Sequence, residues 1–290
     1  MVHAQGTALG VSEAAISYLD CTAARRSLDR GRLKICLVVI GLGVHERLPL
    51  IVAGNRDEFH ARPAQAADWW PDADVGILGG RDLQAGGTWL AVGRNGRFAT
   101  VTNYRDAVAP HGELRSRGEL VTGFVAGDRS PYDYVASIDG GQYAGFNLLV
   151  ADGDEAAYVS NRDLGPTRLE PGIYAVANAA LDTPWSKVVR SKAKLAELID
   201  SGEPDEDRLL QLLADRERAG APEEPPGRLS GETAHAITAP FIVLPDYGTR
   251  CSTVLLRDHR GRVRFTEQRF TPDGRATGRS DFSFEIDQPA

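Results

Sequence analysis

Four polar residues stand in unbroken succession at positions 55–58: Asn55, Arg56, Asp57 and Glu58. They follow the apolar run Leu50–Ala53 and Gly54. A cation between an amide and two carboxylates is either a solvated turn or part of the wall of an active site. Further along, Asn103 follows an apolar stretch in ATVTNYRD, Asn147 lies within GFNLLV, Asn178 ends IYAVAN, and Arg250 precedes CSTVLL. Asparagine is depleted in strands and favoured in turns, where its amide bonds the local backbone. Taken singly, these are turn and cap residues. Taken together with Cys36, near the start of the first apolar run, they are a thiol, cations, carboxylates and amides at strand ends. Those are the components of nucleophilic or acid–base chemistry, provided the fold gathers them.

The elements that must do the gathering are mostly strands. Cys36–Leu42 and Leu48–Ala53 are apolar runs joined by a short polar turn and read as a hairpin. TWLAVGRNGRFATVTN reads as a second hairpin about Asn95-Gly96. Helical spacing recurs over Arg115–Ala126, and Ser130-Pro131 opens another helix. Strands are expected at 144–151, 156–160 and 173–177. LDTPWSKVVRSKAKLAELIDSG is a helix for which Thr183 is the expected cap, and Glu206–Arg216 is a second. Residues 217–232, rich in Pro, Gly and Glu, read as a surface loop. Two closing strands, Ser252–Arg257 and Val263–Phe270, meet at DHRGR. Strands, helix pair, strands, helix pair, strands describe an α+β domain with sheets inside and helices outside.

Composition narrows the function. The net charge is −7 and the pI about 5.4. No basic footprint for nucleic acid is present. No apolar run approaches the roughly 20 residues of a membrane span, so no stable membrane insertion is expected. Three cysteines, Cys21, Cys36 and Cys251, make no disulfide framework and point to the cytoplasm. The six histidines are scattered and form no zinc motif, so neither a metal nor a cofactor is expected. Phosphate-loop and nucleophile-elbow motifs are missing as well. Residues 1–34 end in a basic stretch before the apolar run, the outline of a secretory signal. No small-residue cleavage site follows, and the run reads better as a core strand. Residues 1–34 are therefore expected to be a disordered extension or the product of a start assigned too far upstream.

Four stretches carry a resemblance: GNRDEFHARPA, GGRDLQAGGTWLAVGRNGRFATVTNYRD, NAALDTPWSKV and YGTRCSTVLL. In this order they resemble the NRDE family, also called the Transport and Golgi Organization protein 2 family, over about residues 35–270. The resemblance implies an Ntn-hydrolase-like fold, a four-layer αββα sandwich of two stacked antiparallel sheets. It places one domain at 35–275 and leaves 276–290 as a C-terminal tail.

It also implies a mechanism. N-terminal nucleophile hydrolases of the penicillin V acylase and bile-salt hydrolase type attack an amide with a cysteine that is the first mature residue. Its own α-amine, titrating near ~8, is the base. On this resemblance Cys36 is the nucleophile and Arg56 stabilises its thiolate. Asp57 or Glu58 holds the α-amine, Asn103 and Asn178 form an oxyanion hole, and Arg250 is a second active-site arginine. The order Asn55-Arg56-Asp57-Glu58 differs from the Arg-x-x-Asp of the acylases, so roles within 55–58 are interchangeable. Cys36 follows Ile35. Either that bond is cleaved, or translation starts beside Cys36, as in family members whose cysteine follows the initiator Met, or the protein is not such an enzyme. The expected function is Cys-dependent hydrolysis or acyl transfer at a non-peptide C–N amide bond of a small molecule. The alternative is an intracellular haem or lipid-ligand binding or transfer protein, with His60 as the local axial candidate.

Overall fold

β1 (Cys36–Leu42) is buried at every position because it lies between two partners and under two packed layers. The computed structural model describes residues 35–287 apart from 74, 106–113, 164, 203, 224–228 and 230. The expected extension at 1–34 lies outside the described residues. Along the chain β1 is followed by β2 (Leu50–Phe59), β3 (Ala64–Trp69), β4 (Ile77–Asp82), β5 (Leu90–Gly93) and β6 (Phe98–Asn103). Helices α1 (Gly118–Ala126) and α2 (Pro131–Ala136) precede β7 (Phe146–Asp152), β8 (Glu155–Ser160), β9 (Thr167–Arg168) and β10 (Gly172–Val176). Helices α3 (Ser186–Asp200), α4 (Glu206–Leu213) and α5 (Gly231–Ala236) lead to β11 (Tyr247–Arg257), β12 (Arg262–Phe270) and β13 (Ala276–Glu285).

The strands form two antiparallel sheets, ordered β10-β1-β2-β11-β12-β13 and β3-β4-β5-β6-β7-β8-β9. Period-two alternation divides the side chains between layers. Val38, Ile40, Leu50, Val52, Leu255 and Phe265 of the first sheet meet Leu78, Leu90, Phe98 and Leu149 of the second. The intervening residues Leu37, Val39, Ile51, Ala53 and Val254 face Val188 and Leu195 of α3 and Leu209 and Leu213 of α4. On the outer face of the second sheet, Leu120, Val121 and Phe124 of α1 cover Ala99, Val101 and Leu148. The layers are thus helix, sheet, sheet, helix, as the resemblance implies. No helix among the described residues is long and apolar enough to cross a membrane.

Several expected boundaries move. The Asn95-Gly96 hairpin forms with Gly96 at φ 81°, the left-handed geometry for which glycine carries no Cβ penalty. Thr183 does not cap α3, because its hydroxyl donates to the Ala180 carbonyl. The carboxylate of Glu223 instead accepts from the Ser186 N–H at 2.7 Å. The second expected helix stops at Leu213, and the expected loop 217–232 runs into α5 at Gly231. Residues 276–285 are not a tail but the edge strand β13. Phe282 and Phe284 on one face pack against the inter-sheet core, while Ser, Asp and Arg fill the other and mask the alternation.

The largest correction concerns β2. The sequence suggests a strand ending near Ala53; the strand continues to Phe59. Asn55–Glu58 is therefore inside a strand rather than in a turn beyond it: Asn55 and Arg56 pair on both sides, and Asp57 and Glu58 pair with β11.

Candidate active site

Alternation splits the tetrad. Arg56 and Glu58 continue the inter-sheet face of Leu50 and Val52, while Asn55 and Asp57 continue the helix-facing side of Ile51 and Ala53. Asn55 is fully buried. Its amide donates to the Leu213 carbonyl at 2.9 Å and the Pro240 carbonyl at 2.8 Å, and accepts from the Ser252 hydroxyl at 2.6 Å. It locks β2 to the helix layer and does not line the cavity described below.

On the inter-sheet face, Cys36 of β1 pairs with Arg56 of β2, which pairs with Cys251 of β11. A β-bulge between Thr249 and Cys251 makes Arg250 the extra residue. A bulge breaks alternation, so Arg250 and Cys251 both reach one cavity although they are consecutive. The cavity has a volume of about 600 Å³, and Cys36, Arg56, Glu58, Asn103 and Arg250 all line it. Arg56 makes ion pairs with Asp82 at 3.3 Å and Glu58 at 3.9 Å. Arg62 joins the same carboxylates at 2.6 and 3.6 Å. Arg250 donates to the carbonyls of Phe59 at 2.9 Å and Arg62 at 3.1 Å. Burial, and then the neighbouring Arg56, lower its pKa.

Around Cys36 the contacts are specific. Its backbone N–H donates to Asn178 Oδ1 at 3.3 Å, and Asn178 Nδ2 donates to the Asn103 carbonyl at 2.8 Å. Asn178 thus holds the main-chain nitrogen of Cys36, and its amide links the ends of β6 and β10. The loop bearing Asn178 is fastened from below. Asn147 donates to the Ala179 carbonyl at 2.9 Å and accepts from Tyr158 Oη at 2.7 Å, and Tyr158 Oη accepts from the Leu181 N–H at 3.2 Å. The backbone amide of Asp57 bonds the Cys36 sulfur and favours the thiolate, as does Arg56. Burial, reinforced by the Asp57 carboxylate, outweighs both and pushes the thiol up to about 12.

Sequence reasoning missed several partners. Tyr247 Oη accepts from the Ile35 N–H at 2.6 Å and lies 3.0–3.1 Å from the carbonyls of Asp57 and Ile35, so it clamps the residue before Cys36. Thr249 donates its hydroxyl to Asp57 Oδ1 at 2.7 Å, while Asp57 Oδ2 has no hydrogen-bond partner among the described residues. Lys187, at the start of α3, is buried near this carboxylate, and each group lowers the cost of charging the other. Tyr247, Thr249, Lys187, Asp82 and Arg62 all lie inside the four stretches quoted above. Glu267 does not. It is buried beside Cys251, accepts from the Ala67 N–H at 2.9 Å, and burial raises its pKa. His60 stands apart: its Nε2 is 3.1 Å from the Leu244 carbonyl, and it is not among the residues lining the cavity. It presents no axial nitrogen there, so this residue does not fit haem.

The Asp57 carboxylate carries a pH prediction. Burial raises its pKa to about 7, against the effect of Lys187. In an unfolded chain an aspartate titrates near ~3.9. Between those values the folded protein holds a proton that the unfolded chain releases, so stability falls as pH rises through the window. Asp57→Asn removes this dependence. In denaturant titrations between pH 4 and 7, wild type should lose on the order of 1–3 kcal/mol relative to the variant. Parallel pH profiles for the two proteins would refute the assignment.

Comparison with known proteins gives the following. A family model described as Transport and Golgi organisation 2 matches residues 35–272. The chain is 38% identical to the Transport and Golgi organization protein 2 homolog of Bos taurus and 37% identical to that of Homo sapiens. Each match covers 76% of this chain and 86% of the relative. It is 28% identical to Transport and Golgi organization protein 2 of Drosophila melanogaster, over 77% and 86%. Among solved structures, a mutant conjugated bile acid hydrolase from Clostridium perfringens matches with a TM-score of 0.49 at 7% identity, covering 86% of this chain and 92% of that one. An N-acylethanolamine-hydrolyzing acid amidase ortholog from Caenorhabditis elegans matches with a TM-score of 0.47 at 12% identity, over 76% and 92%.

Proposed function

The chain belongs to the Transport and Golgi organisation 2 family, and from that premise we propose that it is a cysteine-dependent hydrolase or acyl transferase of a small-molecule amide, active when the α-amine of Cys36 is free. The observation that carries this reading is the pairing of two contacts at one residue. The Cys36 nitrogen meets Asn178 Oδ1, and its side chain enters a closed row with Arg56 at the wall of the cavity.

The steps follow from those positions. The free α-amine, held by Asn178 Oδ1, takes the thiol proton. The sulfur attacks the substrate carbonyl, forming a C–S bond and an oxyanion. The proton passes from the ammonium to the leaving nitrogen as the C–N bond breaks, leaving a thioester. Water, deprotonated by the same amine, then releases the acid; an acceptor amine in its place gives acyl transfer. Arg56 and the Asp57 amide stabilise the thiolate between steps. While Ile35 remains attached, the nitrogen is a peptide nitrogen with no basic lone pair, and the buried thiol stays protonated at neutral pH.

The test is the intact mass of the protein purified from its native host, with the first residue identified by peptide mapping. The expected mature chain begins at Cys36. Recovery of the whole population with Ile35 still attached would remove the base and with it the reading.

A further inference from the structure

The row that contains Cys36 does not stop at Cys251. Cys251 pairs with Arg269 of β12, and Arg269 pairs with Gly278 of β13. Cys36, Arg56, Cys251 and Arg269 therefore stand side by side on four adjacent strands of one face, and each lines the cavity. At ~4.8 Å between strands, the backbone of Arg269 is about 14 Å from that of Cys36. Gly278 ends the row with no side chain, and a Cβ there would collide with the Arg269 guanidinium. The missing side chain makes the room in which that cation lies.

The charge of the wall is lopsided. Seven arginines and four carboxylates line the cavity among the described residues. Glu58 and Asp82 are engaged by Arg56 and Arg62, while Arg81 and Arg115 pair with Asp72 and Glu119. Among the described residues Arg269 has a 3.4 Å contact with the Ser280 hydroxyl and no ion pair. Arg250 has two carbonyls and, among the described residues, no ion pair. Glu267, two residues back on the same strand, acts on Arg269 without an ion pair among the described residues, so the planar fork stays open to a carboxylate or a phosphate. Trp89, which packs over Gly54 of β2, and Phe270 also line the cavity and offer surface for an apolar spacer.

We propose that the site takes amides that carry an anionic group at the far end of an apolar spacer, with the amide at Cys36 and the anion at Arg269. This rests on the amide-hydrolase reading of Cys36 and names the substrate class for it. Arg250 adds its positive field beside the path, and Arg269 sets the distance at which the anion is read.

Binding of unreacted probes to the full chain tests this independently of turnover. Calorimetry is run with monoamides of straight-chain dicarboxylic acids from four to ten carbons, against neutral primary amides of equal length. N-acetyl ω-amino acids, which place the charge on the other side of the amide, form a second series. In at least one series the anionic member should bind about tenfold tighter than its neutral match, with an optimum length. Arg269→Gln should abolish the preference without weakening the neutral amide, and Arg269→Lys should retain part of it. Gly278→Ala, which displaces the guanidinium, should reduce it, with melting temperatures confirming that all variants fold. Equal affinity for charged and neutral amides in wild type overturns the anion preference and leaves the hydrolase reading standing. Equal loss for both in Arg269→Gln makes Arg269 structural and overturns its role. If no amide of either kind binds, this inference falls, while the hydrolase reading is decided by the first residue of the mature chain.

Discussion

Asn55→Ala should cost about 3–5 kcal/mol of stability and leave little folded protein at 37 °C, because it strands three buried polar groups at once. The carbonyls of Leu213 and Pro240 lose their donor and the Ser252 hydroxyl loses its acceptor. The site is sealed under α4 and the segment after α5, so water does not replace what is lost. Asn55→Asp should be no better, since it turns a carboxylate toward two carbonyls in a dry layer. Urea unfolding monitored by far-UV circular dichroism measures the effect. A midpoint equal to that of wild type, with only reactivity lost, would return Asn55 to the catalytic set from which its position removes it.

The second large effect concerns reactivity. A chain that begins at Cys36 should be alkylated at that thiol about 100-fold faster at pH 7.5 than one that retains Ile35. Burial and the Asp57 carboxylate push the peptide-linked thiol up to about 12. Against an ordinary thiol near ~8.5, that leaves on the order of 10³-fold less thiolate. A more basic thiolate is the better nucleophile, with a Brønsted slope of about 0.4–0.5, which returns part of the loss and leaves about two orders of magnitude. Removing Ile35 also frees Tyr247 from its clamp and opens the buried thiol at its backbone side. Adding Arg56→Met to the shortened chain should slow it again, because the remaining lining carboxylates then act on the sulfur unopposed. Rates come from time-resolved intact mass with a small chloroacetamide, with Cys251 as the internal reference. Equal rates for the two chain forms would mean that the α-amine does not govern this thiol.

Much of the candidate site was legible because its residues lie within contiguous stretches of sequence. Cys36 begins an apolar run, and the tetrad, Asn103, Asn178 and Arg250 all sit at the ends of apolar runs, so their strand ends could be counted. The roles inside the tetrad were not legible. Four consecutive polar residues look like a turn, and nothing local says that a strand continues through them. Burial by α4 on one face and the opposing sheet on the other makes each member a specific partner: Asn55 for carbonyls, Asp57 for Thr249, Arg56 and Glu58 for the cavity. Thr183 failed as a cap for the same reason, since Glu223, 40 residues away, supplies the carboxylate. β13 escaped notice because its apolar residues, Phe282 and Phe284, are too few to mark a strand until β12 lies beside them.

By itself, then, the order of residues determined an α+β domain with sheets inside and helices outside, through hydrophobic period and turn chemistry; the αββα layering was implied by the family resemblance of the short stretches that hold the reactive groups. Tertiary structure alone decided the row Cys36–Arg56–Cys251–Arg269, since it joins residues more than 200 positions apart through the register of four strands. It also decided that Arg250 and Cys251 share a face. A side chain's face is set by strand parity, parity is reset by a single bulge, and a bulge is defined by the partner strand rather than by the residues that form it.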